Sequence, residues 1–234
     1  MTNQDYKNAA LAALKGKWAP AVLASVVMIL MMGPYMGVNL YPTLASMSPE
    51  AMMGPLFLGI TGGSFLYLLL VYMPLEFGYT NACRTLLVTG DDRLTGNMFK
   101  IGFSHWLRFV WGYILLEIKV MLWMFVFIIP GFIKAFAYAL TPFLLVDCPE
   151  LSALQCIKLS NQMMKGHKFD LFYLYLSFIG WGLLCILTLG IGFLWLMPYM
   201  QTATAAFYQD VKEQYRAQLE TAAPAETPAE TPAE

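Results

Sequence analysis

Apolar residues fill six long stretches of this chain, and polar residues gather between them. The stretches cover roughly Trp18–Val38, Phe57–Thr80, Arg108–Ile129, Gly131–Asp147, Asp170–Leu189 and Ile191–Tyr208. Most approach or exceed the ~20 residues with which an α-helix crosses a bilayer. The pattern predicts an all-α membrane protein of about six transmembrane helices. A six-span domain over residues 18–212 then follows an N-terminal amphipathic segment, 1–17, and precedes a tail, 213–234.

Two shorter stretches carry a helical period instead. In "NQDYKNAALAALKGKW", Tyr6, Ala10, Ala13 and Leu14 fall on one side, with Asn8 and Lys15 opposite. In "PELSALQCIKLSNQMMKGHK", residues 149–168, one face holds Ala153, Cys156, Ile157, Ser160 and Met164. The other holds Gln155, Lys158, Asn161, Gln162 and Lys165. Both predict amphipathic helices at the membrane interface, the second ending near Gly166.

Helix breakers inside the apolar sequence mark where the chain reverses. The stretch Arg108–Ile129 makes about 33 Å of helix, enough to cross. Pro130-Gly131 then falls at the far surface, where Pro ends the helix and Gly permits a turn. "TLGIGF", residues 188–193, repeats the device with glycines. The spans therefore pair into three hairpins. Each returning helix contains a proline, Pro74, Pro142 or Pro198, and the carbonyl that each proline frees must find a donor on a neighbour.

Composition and charge sharpen the picture. The chain is 59% hydrophobic and only 12% charged, about half the charge of a soluble domain. A net charge of −1 gives no reason to expect nucleic acid. Of the 14 Lys and Arg, all but Lys119 and Lys134 precede the first span, follow the last, or lie between spans two and three or four and five. Positive residues stay cytoplasmic. Both termini are thus expected inside, with segments 84–107 and 148–169. Residues 39–56 and the turns at Gly131 and Gly190 are expected outside, in a multi-pass protein of the plasma membrane. Lys134 can snorkel to headgroups near the outer rim. The tail "ETAAPAETPAETPAE" has the composition of a disordered segment.

Candidate chemistry is sparse. Metalloprotease, Walker, nucleophile-elbow and dinucleotide motifs are missing from the sequence. The four cysteines form no CxxC pair and have no His at ligand spacing, so neither a metal nor a cofactor is expected. Two carboxylates lie within apolar stretches. Glu76 is near the cytoplasmic end of the second span, and Glu117 is about 13 Å into the third. An ionised, unpaired carboxylate at such depth costs roughly 2.5–3.5 kcal/mol on insertion scales. Glu117 is therefore expected to point into the bundle, and with Glu76, Thr80, Gln201 and Thr204 it forms a candidate intramembrane polar site. Lys119 is about 200° around the helix and faces away. Lys158, Lys165 and Lys168 are candidate contacts for anionic lipid, at roughly 1 kcal/mol per cation.

The second half resembles a known family. The blocks "IIPGFIKAFAYALTPFLLVDCPELSA" and "LSNQMMKGHKFDLFYLYLSFIGWGLLCILTLGIGFLWLMPYMQTATAAFYQDV" carry it, and "ALKGKW" near the N-terminus fits too. In order, they are similar to the bacterial integral-membrane family known as domain-of-unknown-function family 975, over most of residues 6–212. The resemblance implies a multi-pass bacterial membrane protein and assigns no catalytic or binding residue.

Three functional readings follow. The first is a non-enzymatic membrane protein acting in transport, as an accessory subunit or in envelope adaptation. The second is a membrane-embedded enzyme acting on lipids, which calls for polar side chains of spans two, three and six around one cavity. The third binds a membrane-protein partner, as an immunity-type protein would. It calls for no internal polar cavity and an exposed stripe such as Ser177, Gly180 and Leu184.

Overall fold

The structure is a computed structural model that describes residues 1–45 and 62–222, and these residues are helical without strands. Residues 46–56 of the expected outer loop, 57–61 of the second span and 223–234 of the tail lie outside the described residues. The helices are α1 (Asn3–Leu14), α2 (Trp18–Ala45), α3 (Met73–Thr89), α4 (Leu94–Ser104), α5 (Trp106–Val126), α6 (Ile128–Tyr138), α7 (Thr141–Asp147), α8 (Ala153–Met163), α9 (Lys168–Leu176), α10 (Ile179–Leu187) and α11 (Phe193–Ala222). Helix precedes α3 over residues 62–67 and passes through a π-helical turn, Leu68–Tyr72.

Among the described residues two stretches are long and apolar enough to cross a membrane, Ile129–Asp147 and Lys168–Leu187. They become three if Asn3–Leu14 and Trp18–Gly33, bent by 101°, count as one. The first is α6 with α7, the second α9 with α10. Six such helices were expected. Part of the difference lies in polar content: α3 carries Glu76, Asn81 and Arg84, α5 carries Arg108, Glu117 and Lys119, and α11 becomes polar beyond Tyr208. α11 also continues past residue 212, where the tail was expected to begin. The segment 213–220 is rich in good helix formers, and Tyr215 packs against the core.

The hairpin of α5 and α6 forms as expected, but its turn falls elsewhere. Phe127 is the extended residue (φ −156°, ψ 138°) that separates the helices. Pro130 and Gly131 lie in the first turns of α6, where a missing N–H costs little. Gly131 serves close approach instead: a Cβ there would lie 2.8 Å from Met124 Cα. The second turn falls where expected, with Gly190 at φ 87° between α10 and α11.

The two amphipathic helices bury the faces their spacing predicts, but against protein. In α1, Tyr6, Ala10 and Leu14 are buried. The Tyr6 ring meets Phe207 edge-on at 5.5 Å, and its hydroxyl donates to Asp210 at 2.5 Å. Burial alone would push the Asp210 carboxyl up; hydrogen bonds from Tyr6 and Gln214 outweigh it and hold the carboxyl below its usual range. Leu11 and Trp18 approach Leu196 and Tyr199, so α1 runs antiparallel along α11. In α8, Cys156 reaches the Leu144 carbonyl and Ser160 donates to that of Ala137 at 2.9 Å. α8 thus runs back beside α7 and α6. An apolar stripe cannot tell lipid from a neighbouring helix, and here the neighbour covers it.

α3 positions the candidate site. It pairs antiparallel with α2 through Ser25–Tyr79 (2.9 Å) and Lys17–Gly90 (2.6 Å). After Gly90 (φ 72°) the chain folds back as α4, whose backbone touches α3 at Gly78 and Gly102. Phe77 stacks on Phe109 at 5.6 Å, Asn81 donates to the Pro142 carbonyl, and Arg84 pairs with Asp147. Arg108 donates to the Cys148 carbonyl at 2.7 Å, so these partners lie at one end of the α5–α7 pair. α3 therefore crosses that end obliquely. The Trp106 indole donates at 2.9 Å to the carbonyl of Leu70, four residues before Pro74. This is the donor that a helix proline requires of its neighbours.

Candidate functional site

Two clefts meet at Glu76, because α3 crosses between α5 on one side and α11 on the other. The first, about 230 Å³, is lined by Glu76 and Thr80 of α3 and by Tyr113 and Glu117 of α5, with Tyr138 and Pro142 closing it. The second, about 210 Å³, is lined by Glu76, Tyr72 and Tyr79, by Tyr175 of α9, and by Gln201 and Thr204 of α11. Thr80 links them by donating to Gln201 Oε1 at 3.5 Å. Thr204 donates to the Met200 carbonyl at 2.9 Å and to the Tyr175 hydroxyl at 3.4 Å.

The five residues singled out from the sequence thus adjoin one another in space. Glu117 is placed differently from expectation. Its side chain is exposed at the rim of the first cleft rather than turned into the interior. Glu76 and Thr80 share that cleft with it, while Gln201 and Thr204 lie beyond Glu76. Among the described residues no cation pairs with either carboxylate, and no group of three or more His, Cys, Asp and Glu is arranged to hold a metal. Lys158 is exposed on α8, Lys165 is exposed just beyond its end, and Lys168 is half-buried at the start of α9.

The tyrosines were missed, although a signal for them exists. "YMPLE" and "YILLE" each place a tyrosine one helical turn before a glutamate, Tyr72 before Glu76 and Tyr113 before Glu117. Residues four apart share a helix face, so each carboxylate arrives with a phenol beside it. A second feature read only as topology is the charge cluster at the base. Asp147 pairs with Arg84 of α3 and Lys212 of α11 and accepts from the Tyr208 hydroxyl at 2.6 Å. Close by, burial pushes the thiols of Cys148 and Cys156 up, which favours the inert protonated form.

No curated protein and no solved structure matches the chain. A family match begins at Tyr113, so it contains Glu117, Asp147, Gln201 and Thr204 but not Glu76. Residues 113–215 match the model of the family described as Protein of unknown function (DUF975), the family that the sequence blocks resemble.

Proposed function

We propose that this chain is a multi-pass integral protein of the bacterial plasma membrane, with six spans, cytoplasmic termini and a non-enzymatic role in transport or as an accessory subunit. The working site is the pair of clefts at Glu76. The observation that carries the reading is that two carboxylates that pair with no cation among the described residues, Glu76 and Glu117, line one cleft in a largely apolar body. Ionisable groups are retained in membrane helices against a solvation cost, and they mark ion, proton and substrate paths. The topology rests on the Lys and Arg distribution.

The lipid-enzyme reading draws support from the same clefts, since α3, α5 and α11 all contribute polar side chains. Against it, the two threonine hydroxyls of the clefts are engaged: Thr204 bonds a carbonyl, and Thr80 bonds Gln201. Neither is paired with a base. The partner-binding reading keeps an exposed Ser177 between α9 and α10 and an exposed Gly180 and Leu184 on α10, but the polar clefts argue against it.

Two measurements test the proposal. A cysteine introduced at position 93 or 158 should stay unlabelled by a membrane-impermeant reagent in intact cells; strong labelling would sink the topology. Proteoliposomes should show a cation or proton flux that Glu117→Gln abolishes without loss of expression or thermal stability. Equal flux in the variant, or none in the wild type, would remove the transport role.

A further inference from the structure

The second cleft is more than polar. Three tyrosines line it, Tyr72, Tyr79 and Tyr175, together with the thioethers of Met28, Met197 and Met200. Each tyrosine hydroxyl already has a protein partner. Tyr79 bonds Ser25 at 2.9 Å, Tyr175 accepts from Thr204, and Tyr72 reaches the Met32 sulfur at 3.9 Å. What the lining offers an occupant is mainly ring surface and polarizable sulfur, with the Gln201 amide and the one carboxylate, Glu76.

We infer that this cleft binds an alkylammonium group, a quaternary or N-methylated amine, with Glu76 as counter-charge and the three tyrosine rings as its cage. The inference deepens the proposed polar site and rests on it. A carboxylate without a cation partner calls for positive charge. Its surroundings decide which kind. A hard inorganic cation such as Ca²⁺ needs six to eight oxygen ligands, which rings and thioethers do not supply. A methylated ammonium spreads its charge over an apolar surface. It gains from aromatic faces through cation–π attraction and from the soft contact of methionine sulfur. The cleft also has the right size: at about 210 Å³ it falls below the ~300–1,000 Å³ of sites for drug-sized ligands. Such a group can come from a free amine or from a choline-type lipid headgroup.

The test uses the full chain purified in a maltoside detergent and titrated with tetramethylammonium at constant ionic strength, binding being read by calorimetry. Saturable binding is expected, and an equal concentration of K⁺ should not displace it. Glu76→Gln and Tyr175→Leu should each weaken it by roughly fivefold to thirtyfold, while Tyr175→Phe, which keeps the ring, should stay within about twofold. Lys158→Gln, exposed on α8 and outside both clefts, should leave binding unchanged. Binding is read without a gradient, so the site can stand even if the flux assay fails, and the flux can stand if this binding fails. Should Tyr175→Leu not fold, the near-isosteric Glu76→Gln decides alone. Absence of saturation, displacement by K⁺, or unchanged affinity in Glu76→Gln would overturn the inference. Nanodiscs separate the sources. Phosphatidylcholine should suppress tetramethylammonium binding relative to phosphatidylglycerol if the headgroup is the ligand, and both should permit it equally if a free amine is.

Discussion

Alanine at Gly78 is expected to destabilise the protein by about 3 kcal/mol or more, the upper end of overpacking costs. A Cβ at this position would lie 2.0 Å from the carbonyl oxygen of Met98, and one at Gly102 would lie 2.4 Å from that of Pro74. Both obstacles are backbone atoms of a facing helix, so relief requires α3 and α4 to separate along their length. That separation would also expose Leu75, Leu86, Leu94 and Met98, all buried in the core around this crossing. Helix propensity acts the other way, since Ala is favoured over Gly by about 1 kcal/mol in a helix interior, but the steric cost exceeds it. Gly96 supplies the control. It lies in α4, is exposed, and has nothing within 4 Å of a built Cβ. Gly96→Ala should therefore stabilise by up to about 1 kcal/mol. Thermal unfolding of the three variants in detergent checks the pair of signs. A Gly78→Ala protein that melts with or above the wild type would mean that α3 and α4 do not cross so closely.

The same three glycines show where reading the sequence stops. Gly78, Gly96 and Gly102 are alike as letters, yet two hold a helix crossing and one does nothing. Their roles depend on which helix lies opposite, which periodicity cannot state. Patterns that depend only on a helix's own geometry were legible. The buried faces of α1 and α8 came out closely, with Ala13 only half-buried and Met163 the buried residue not foreseen, and the need for a donor near Pro74 was answered by Trp106. What covers those faces was not legible, because lipid and a neighbouring helix look equally apolar to a stripe of Ala, Ile and Met. The turn at Phe127 was missed for a related reason. Pro-Gly signals a break, but proline is just as much at home in a first helical turn, and the glycine is there for Met124. Within the candidate site, Glu76, Glu117 and Thr80 stood out as polar letters in apolar runs. The tyrosines beside them did not, since a tyrosine in such a run is unremarkable until its partner one turn away is noticed.

Asp147→Asn is expected to cost about 3–5 kcal/mol, the range for breaking a buried ion pair from one side. The carboxylate is only 11% exposed and serves two cations, Arg84 at 16% and Lys212 at 23%. Asparagine keeps the shape and one acceptor oxygen but removes the charge, so two largely buried cations would be left facing each other. The neighbourhood offers them little else. Among the described residues the Arg84 Nε is already buried without a partner, and beyond Asp147 the Lys212 ammonium has the Tyr208 ring, 5.5 Å away. Tyr208 itself stacks on Phe143 at 4.7 Å and would compete with the two cations for the one oxygen that remains, at up to a further ~1 kcal/mol. The cluster joins α3, α7 and α11, each of which contributes to the walls of the clefts at Glu76, so its loss should loosen the site as well as lower stability. A second substitution separates charge from shape. In Asp147→Asn with Lys212→Met, one orphaned cation is removed while the apolar stem is kept, so part of the lost stability should return. That non-additivity is the sign of direct coupling between neighbours. Denaturant unfolding of the two single variants and the double variant measures it. Costs that simply add would mean that Asp147 and Lys212 act independently, and that the three helices are held together by their apolar contacts alone.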